Sequence, residues 1–250
     1  MEHELVQSVF EKIERFVSRA ELDAAVERAI HDVKMTTKNK RCAYAWSGGK
    51  DSIPLAFVCE AAGVHRCVLG MTHLEYRGFL QWVTDYMPPG LTVKNTGQDL
   101  RWLRGHLDML YPADCRLAGE WFKIVQHRAQ AEYFAKERLD MLILGRRKAD
   151  GNSTGDDRGL SVTNGVARFN PLRDWPHEFV LAFIRYHGIT LPPIYSYPRG
   201  FRVGTGSWAA RQWTKGVADG WRENYQIDPD IVREAAYIIP SAKEYLSCVE

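Results

Sequence analysis

The chain has 250 residues, of which 45% are hydrophobic, 33 are basic and 31 are acidic, for a formal net charge of +2. Such a chain can bury a sizeable core, as one large domain or as one domain with appendages. The balanced charge excludes a strong general attraction to nucleic acid, although a local basic groove stays open. No stretch approaches the roughly 20 apolar residues of a membrane span, and the charged N-terminus lacks the apolar segment of a signal peptide. The sequence therefore predicts a cytoplasmic protein without a membrane partner.

Five cysteines are present, and none forms a C-x-x-C pair: Cys42, Cys59, Cys67, Cys115 and Cys248. An odd, unpaired set argues against a disulfide framework or a zinc site and favours a reducing compartment.

Apolar residues at helical spacing predict N-terminal helices over residues 1–36, with Ser18 and Glu21 as a capping box between two helical runs. Beyond them, strands are predicted over 43–46, 64–74, 91–93 and 141–144, and helices over 53–62, 79–86 and 121–139. This alternation predicts an α/β fold with an open, mostly parallel twisted sheet flanked by helices. We expect the α/β domain to span 37–200 and an irregular C-terminal extension over 201–250 to pack on it.

The segment S-G-G-K-D-S lies between the first predicted strand and its helix, and comprises Ser47, Gly48, Gly49, Lys50, Asp51 and Ser52. Two adjacent glycines permit a sharp turn and close approach to a ligand, and the helix N-terminus favours a phosphate. Lys50 adds a mobile cation, and Asp51 is a ligand for Mg²⁺. Because Asp51 follows Lys50, the segment is not the G-x-x-x-x-G-K-[ST] loop but another kind of phosphate cradle.

At all six positions, S-G-G-K-D-S resembles the PP-loop of the N-type ATP pyrophosphatases, the superfamily that includes the phosphoadenosine phosphosulfate (PAPS) reductases. Residues 170–195 also resemble the P-L-x-D-W to L-P-x-x-x-Y region of PAPS reductase family proteins. The resemblance implies an adenine nucleotide alpha hydrolase-like fold, with ATP and Mg²⁺ as cofactors. It also implies cleavage of ATP between the α and β phosphates, release of pyrophosphate and adenylation of an acceptor.

A second polar segment, residues 145–159, follows the strand predicted over 141–144 and is predicted to be a mobile loop. It resembles the G-R-R or G-x-R segment that follows a core strand in PAPS reductases. Ligands of open α/β sheets bind at the carboxyl ends of the strands, so we expect this segment to lie beside the cradle. Its arginines offer bidentate contacts to phosphates.

The two segments together make up the predicted site. Catalytic roles are expected for Lys50, Asp51, Arg146 and Arg147. Nucleotide contacts are expected from Ser47, Gly48, Gly49, Lys50, Asp51, Ser52, Gly145 and Lys148, and the metal contact from Asp51. In this hypothesis the loop amides and Lys50 hold the β and γ phosphates while the acceptor attacks the α phosphorus in line.

Further along the chain, Asp174 is predicted to be an N-cap and Gly188 to end the helix that follows it. Arg199, Arg202 and Arg211 are predicted to add a basic rim near the nucleotide, around a Gly-rich turn that is poor as a dinucleotide fingerprint. Three tryptophans among basic residues are predicted to form a surface for nucleic acid or a partner, namely Trp208, Trp213 and Trp221.

Two other functions stay open. One is thiol-dependent reduction of PAPS to sulfite, for which Cys248 lies near the C-terminus but outside the E-C-G-x-H context of those enzymes. The other is a nucleotide-binding module without turnover. We favour adenylation because reductases that attack PAPS typically depart from S-G-G-K-D-S. The predicted partners are a nucleotide (ATP or PAPS) and an unknown acceptor, such as a nucleic acid or a sulfur carrier, and a homo-oligomer is compatible with the sequence.

Overall fold

The computed structural model describes residues 3–250, so the first two residues of the predicted N-terminal helices lie outside it. The described chain forms two compact units. The first unit comprises the residues up to Leu69, Met87–Thr92 and Gln130–Leu191, and the second comprises Gly70–Tyr86, Val93–Ala129 and Pro192–Glu250. The division into 1–36, 37–200 and 201–250 follows the chain and stays a prediction.

Six strands form one sheet. In chain order, β1 to β6 are Cys42–Ala45, Cys67–Met71, Leu91–Asn95, Met141–Ile143, Leu160–Thr163 and Val166–Phe169. Their order across the sheet is β3-β2-β1-β4-β6-β5. The pairs β1–β2, β1–β4 and β4–β6 are parallel, and β5 pairs antiparallel with β6. The predicted open and mostly parallel sheet is confirmed.

Twelve α-helices lie in the described part of the chain. In chain order, α1 to α12 are His3–Glu11, Arg19–Thr37, Ser52–Ala61, Arg77–Tyr86, Leu100–Arg104, Cys115–Phe122, Arg128–Lys136, His177–Tyr186, Gly200–Val203, Val217–Ile227, Pro229–Ala236 and Pro240–Val249. Within the described residues, no helix is both long enough and apolar enough to cross a lipid bilayer.

The central strands are apolar because they are buried on both faces. In register, Tyr44 lies opposite Cys67 on one side of β1 and opposite Ile143 on the other. A core cluster in the first unit contains Ala43, Val68, Tyr133, Leu139, Leu142, Leu144 and Val166. Burial of each large apolar side chain contributes about 1.5–3 kcal/mol, so this cluster holds the strands whose ends carry the polar loops.

The predicted capping box at the start of α2 is confirmed. Ser18 Oγ accepts a hydrogen bond from the Glu21 N–H, and the Glu21 carboxylate accepts one from the Ser18 N–H at 2.8 Å. Similarly, Gly188 follows the end of α8, as predicted, in the left-handed region at φ +60°.

Several element predictions need correction. The second strand is shorter than 64–74, because after Met71 the chain turns and the Thr72 N–H donates to the Glu75 carboxylate. The helix predicted over 121–139 begins at Cys115, and a π-helical turn over Lys123–His127 joins α6 to α7. Asp174 does not cap α8. Pro176 is the N-cap residue, and Asp174 instead pairs with Lys148.

The C-terminal extension, predicted as irregular, contains the helices α10, α11 and α12, which pack on one another in the second unit. The hairpin of β5 and β6 was not predicted either. It turns at Asn164 and Gly165, whose φ values of +52° and +75° suit a two-residue turn in which both residues are left-handed.

Candidate functional site

The loop between β1 and α3 is tied together by its own serines. The Ser47 N–H donates to Ser52 Oγ at 3.2 Å, and the Gly49 N–H donates to Ser47 Oγ at 3.2 Å. The Ser52 hydroxyl donates to the Gly49 carbonyl at 2.9 Å. Both serines of S-G-G-K-D-S therefore shape the loop.

Two glycines of the predicted site lie where a side chain would be unfavourable. Gly48 adopts φ +66°, in the left-handed region where a side chain is disfavoured. A Cβ on Gly145 would lie 3.1 Å from the Asp51 carbonyl oxygen. The segment after β4 therefore lies against the start of α3, which brings the two predicted segments together within the first unit.

Asp51 lies between two cations. Lys50 Nζ is 2.7 Å from Asp51 Oδ2, and Arg147 Nη2 is 2.8 Å from Asp51 Oδ1. The contact from Arg147 is an ion pair without hydrogen-bond alignment, because Oδ1 is a buried atom with no hydrogen-bond partner in the described chain. A carboxylate oxygen in this state has lone pairs to offer a ligand.

Arg147 is completely buried and holds this side of the site in place. Nη1 donates to the Trp175 carbonyl at 3.1 Å, and Nη2 donates to Asp150 Oδ1 at 2.9 Å. Nη2 also lies 3.3 Å from His177 Nδ1. A buried guanidinium is costly unless it is paired, so this arginine fixes Asp51 and Asp150 rather than extending into solvent. Its predicted contact with a phosphate stays a prediction.

Lys50 completes a group in which two cations face two carboxylates. Its Nζ lies 3.9 Å from Asp150 Oδ1, in addition to its close contact with Asp51. Lys50, Arg147, Asp51 and Asp150 carry no net charge together, so a phosphate entering here needs a further cation, from a metal ion or from neighbouring arginines.

Arg146 supplies positive charge next to this group in the sequence. Burial lowers its pKa from the usual value, and the charge of Arg168 on β6 lowers it further. Burial also lowers the pKa of Arg168, whose Nε is buried without a hydrogen-bond partner. Two guanidiniums that repel each other form a place where an anion is stabilised.

Lys148 lies at the exposed edge of the site. Its Nζ is 2.7 Å from Asp174 Oδ1, and both side chains are more than half exposed. Arg173 Nε lies 3.1 Å from the other oxygen of Asp174. A contact between Lys148 and a nucleotide would exchange this surface ion pair, which is worth little, for a contact with phosphate.

Three residues of the candidate site were not predicted from the sequence. Asp150 stands among the basic residues of the second segment, and an acid in such a cluster was the available signal. Arg168 is a charged residue within an apolar strand, which is also a visible signal. His177 follows the P-L-x-D-W region and carried no signal of its own.

The fit of Mg²⁺ to this site rests on Asp51. Mg²⁺ prefers oxygen ligands and is usually held by one or two carboxylates together with waters and substrate phosphates. Asp51 Oδ1, which accepts no hydrogen bond but lies 2.8 Å from Arg147 Nη2, fits that role, and Asp150 is the nearby second carboxylate. The described residues contain no cluster of three or more acidic, His or Cys side chains that would form a closed metal cage.

The cysteines of the first unit are poor nucleophiles. Burial raises the pKa of Cys42 and of Cys67 to about 11, and it raises the pKa of Cys59 well above its usual value. A thiol in this state carries almost no thiolate at neutral pH. Cys115 and Cys248, in the second unit, are exposed.

The predicted basic rim and tryptophan surface are wrong in part. In the second unit Arg199 and Arg211 both bind Glu223, and Arg211 is buried. Trp208 and Trp221 are buried and pack on each other with ring centroids 5.7 Å apart, because they form the core of this unit. Only Trp213 of the three is exposed.

The sheet and its loop together define a class of protein, the PP-loop proteins with the adenine nucleotide alpha hydrolase-like fold. The sequence model of the phosphoadenosine phosphosulfate reductase domain matches residues 41–204, more than half of the chain. The chain therefore belongs to the phosphoadenosine phosphosulfate reductase domain family, a family of enzymes.

Individual relatives are distant. Phosphoadenosine 5'-phosphosulfate reductase of Vibrio parahaemolyticus is 21% identical over 150 residues, which cover 60% of this chain and 57% of that protein. The chain thus matches little more than half the length of this relative.

One solved structure supports the fold. Phosphoadenylyl-sulfate (PAPS) reductase from Candida auris, in a phosphate complex, has a TM-score of 0.55 at 14% identity, covering 77% of this chain and 96% of that one. At this identity the likeness shows the fold alone. NH3-dependent NAD synthetase from Campylobacter jejuni, in complex with nitrate, has a TM-score of 0.48 at 15% identity, covering 90% of this chain and 96% of that one. No argument rests on this weaker likeness.

Proposed function

We propose that this protein binds ATP with Mg²⁺, cleaves it between the α and β phosphates, and adenylates an acceptor with release of pyrophosphate. The observation that carries the proposal is Asp51, whose Oδ1 has no hydrogen bond although Lys50 and Arg147 flank the carboxylate within 2.8 Å. This arrangement suits a polyphosphate and a hard cation better than it suits thiol chemistry.

Phosphate binding would use the loop and the start of α3. The backbone at Gly48 turns sharply, and the N-terminal end of α3 favours negative charge. Lys50 would exchange its contacts with Asp51 and Asp150 for the β and γ phosphates. The two carboxylates would then be available to bind a metal ion.

Asp51 is the proposed ligand of Mg²⁺, with Asp150 as the second carboxylate. When bound, Mg²⁺ would neutralise charge that develops on the pyrophosphate leaving group. Arg147 is assigned a positioning role, because it is buried and fixes both carboxylates through one guanidinium. Arg146, next to Arg168, would stabilise negative charge on the phosphate that undergoes transfer.

The proposed reaction is a substitution at phosphorus. A lone pair on an acceptor oxygen forms a bond to the α phosphorus, and the bond to the α–β bridging oxygen breaks. That electron pair leaves with pyrophosphate, and AMP stays on the acceptor. Fixed groups of opposite charge around the loop favour this step by positioning and by electrostatic stabilisation.

Pyrophosphate release in the presence of ATP, Mg²⁺ and small-molecule, tRNA or DNA acceptors tests the proposal. Lys50→Ala is expected to lower the rate at least about a hundredfold, since it removes the cation of the cradle. Lys123→Ala is the control, because Lys123 is exposed and forms an ion pair with the exposed Glu120. A Lys50→Ala rate equal to that of the unmodified protein would exclude this loop as the active site.

The second candidate function is thiol-dependent reduction of PAPS to sulfite. The exposed thiol of Cys248 and the name of the family favour it. Sulfite formation from PAPS and reduced thioredoxin, lost in Cys248→Ser, would select this function. Tight ATP binding with no AMP formed would instead select a binding module without turnover.

A further inference from the structure

A concave basic cavity lies at the other end of β1 from the loop. It has a volume of about 650 Å³, and it is bounded by the end of α2, the start of β1 and the turn before β2. Five of its lining side chains are basic, and none is acidic: Lys34, Lys38, Lys40, His65 and Arg66. All of these residues belong to the first unit.

The wall of the cavity is closely built. Gly90 packs so tightly on the turn before β2 that a Cβ there would lie 1.7 Å from the His65 carbonyl oxygen. The Cys67 N–H donates to the Gly90 carbonyl at 3.2 Å. Backbone contacts therefore hold the wall of the cavity formed by Gly90 and the turn before β2.

Two of the five basic groups have partners that explain their presence. Lys40 Nζ donates to the Thr36 carbonyl at 2.8 Å and so caps the end of α2. His65 Nδ1 pairs with the Glu60 carboxylate. Helix capping and a local ion pair thus account for these two groups.

The other three, Lys34, Lys38 and Arg66, are exposed at the cavity, and of these only Lys34 has a local role, as a cation in the last turn of α2. Among the side chains that the structure describes, none of these three has an ion-pair partner. The carbonyls of Val33 and Thr37, near the end of α2, are already satisfied by the Thr37 hydroxyl and by the Lys40 N–H. Three cations around one cavity repel one another, and a low-dielectric concave wall strengthens their combined field.

We propose that this basic cavity binds a ligand that carries two or more phosphate groups. Phosphate matches point charges such as lysine and the fork of arginine, and it neutralises the three cations together. The cavity borders the start of β1 and the loop follows its end, so the four residues of the strand separate the two sites by roughly 13 Å at about 3.3 Å per residue. The inference is independent of the proposed ATP cleavage.

Phosphate chemistry could come from a free polyphosphate or from the backbone of a nucleic acid, and two probes distinguish them. One is inorganic tripolyphosphate, followed by calorimetry. The other is a fluorescein-labelled single-stranded RNA of about twelve nucleotides, followed by anisotropy, within the range of typical single-strand sites. Lys50→Ala is used as the parent so that the loop does not dominate binding.

The cavity variant replaces Lys34, Lys38 and Arg66 with Gln in that parent. A matched control replaces three exposed basic residues of the same unit, Lys12, Arg28 and Lys136, with Gln, which changes the net charge equally. We expect the cavity variant to bind the preferred probe at least about tenfold more weakly and the control to bind within about twofold. For RNA, the slope of log K against log salt should fall by about 2, at about 0.7 per lost phosphate contact.

Tighter binding of RNA would identify a nucleic acid as the ligand, and tighter binding of tripolyphosphate would identify a free polyphosphate. No binding of either probe, or equal weakening in the cavity variant and the control, would overturn the proposal. The variant Lys34→Arg, Lys38→Arg, Arg66→Lys keeps the charges and should bind like the parent, which separates loss of charge from loss of fold. With Lys50 present, the cavity variant should release pyrophosphate within about twofold of the unmodified rate.

Discussion

The two units each contain a buried arginine, and the two arginines differ in how completely their surroundings satisfy them. In the second unit, Arg211 Nε donates to Glu223 at 2.6 Å and its Nη2 donates to the Pro198 carbonyl at 3.2 Å. Arg199 donates to the same carboxylate and to the Gln212 carbonyl. Burial alone would raise the pKa of Glu223, but these hydrogen bonds outweigh it and the pKa is lowered.

In the first unit, Arg147 is equally buried but incompletely satisfied. Its Nε has no hydrogen-bond partner in the described chain, and neither does Asp51 Oδ1 beside it. Buried polar atoms are usually paired, so the unsatisfied atoms of the Arg147 network mark it as a candidate ligand site, whereas the hydrogen bonds of the Arg211 network stabilise its unit. This difference distinguishes a structural cluster from a candidate site, although both consist of arginines and carboxylates.

Arg211→Met should break the second-unit network with the largest effect on stability. The change leaves Glu223 partly buried with fewer donors, and we expect a loss of about 3–5 kcal/mol in the free energy of unfolding, measured with urea. Arg222→Met is the control, since Arg222 is exposed and its ion pair with Asp219 is local to α10, and it should cost less than about 0.5 kcal/mol. Equal losses in the two variants would show that the buried Arg211 network contributes no more to stability than a surface ion pair does.

Glu75 is an exception within the second unit, because its Oε2 is buried without a partner. Burial raises its pKa to about 7, although hydrogen bonds from Thr72 oppose the shift. The folded state thus holds this proton more tightly than the unfolded state, whose Glu titrates near 4.5. The stability that Glu75 contributes is present below about pH 4.5 and is lost as the pH rises to about 7.

Glu75→Gln mimics the protonated form and should remove this dependence. Relative to the unmodified protein, the variant should gain about 3 kcal/mol in the free energy of unfolding between pH 4.5 and pH 8, as 2.5 units at 1.36 kcal/mol each imply. Urea unfolding at four pH values measures the difference. A difference that stays constant with pH would contradict a raised pKa for Glu75.

Arg147→Met should lower turnover strongly and stability only a little, whereas Arg211→Met mainly lowers stability. We expect pyrophosphate release to fall about a hundredfold, equivalent to about 2.7 kcal/mol, because Asp51 and Asp150 lose the group that positions them. The free energy of unfolding should fall by only about 1–2 kcal/mol, since both carboxylates are partly exposed and can be hydrated. A large stability loss with unchanged turnover would make Arg147 structural.

The smallest effects are expected when one serine of each unit is replaced. Ser52 bonds the loop, and Ser207 caps a short helical turn by accepting from the Ala209 N–H. Replacement of either serine by Ala should lower the free energy of unfolding by about 1 kcal/mol. Ser52→Ala alone should also slow pyrophosphate release, and a parallel assay of Ser207→Ala checks this. Slower release in both variants would show that turnover reports general stability rather than the loop.

Local patterns predicted much of the fold. The alternation of apolar strands and helices, the capping box at Ser18 and the turn at Ser47 depend on residues close in the chain, and the structure confirms these elements. The hairpin at Asn164 and Gly165 also had a local signal, but that signal was overlooked. The helices α10 to α12 were not predicted, although their buried apolar residues lie at helical spacing, as Ile231, Val232 and Ala235 do in α11.

The sequence by itself determined the S-G-G-K-D-S loop and the family to which it belongs, because six adjacent residues between a strand and a helix specify them without distant partners. Only the tertiary structure decided which charged residues are buried and how each is paired. Arg146 and Arg147 are neighbours in the same G-R-R segment, yet only Arg147 is fully enclosed, by Asp51, Asp150 and the Trp175 carbonyl. Burial and pairing depend on groups that are far apart in the chain, so no local pattern reveals which of the two arginines is fully enclosed.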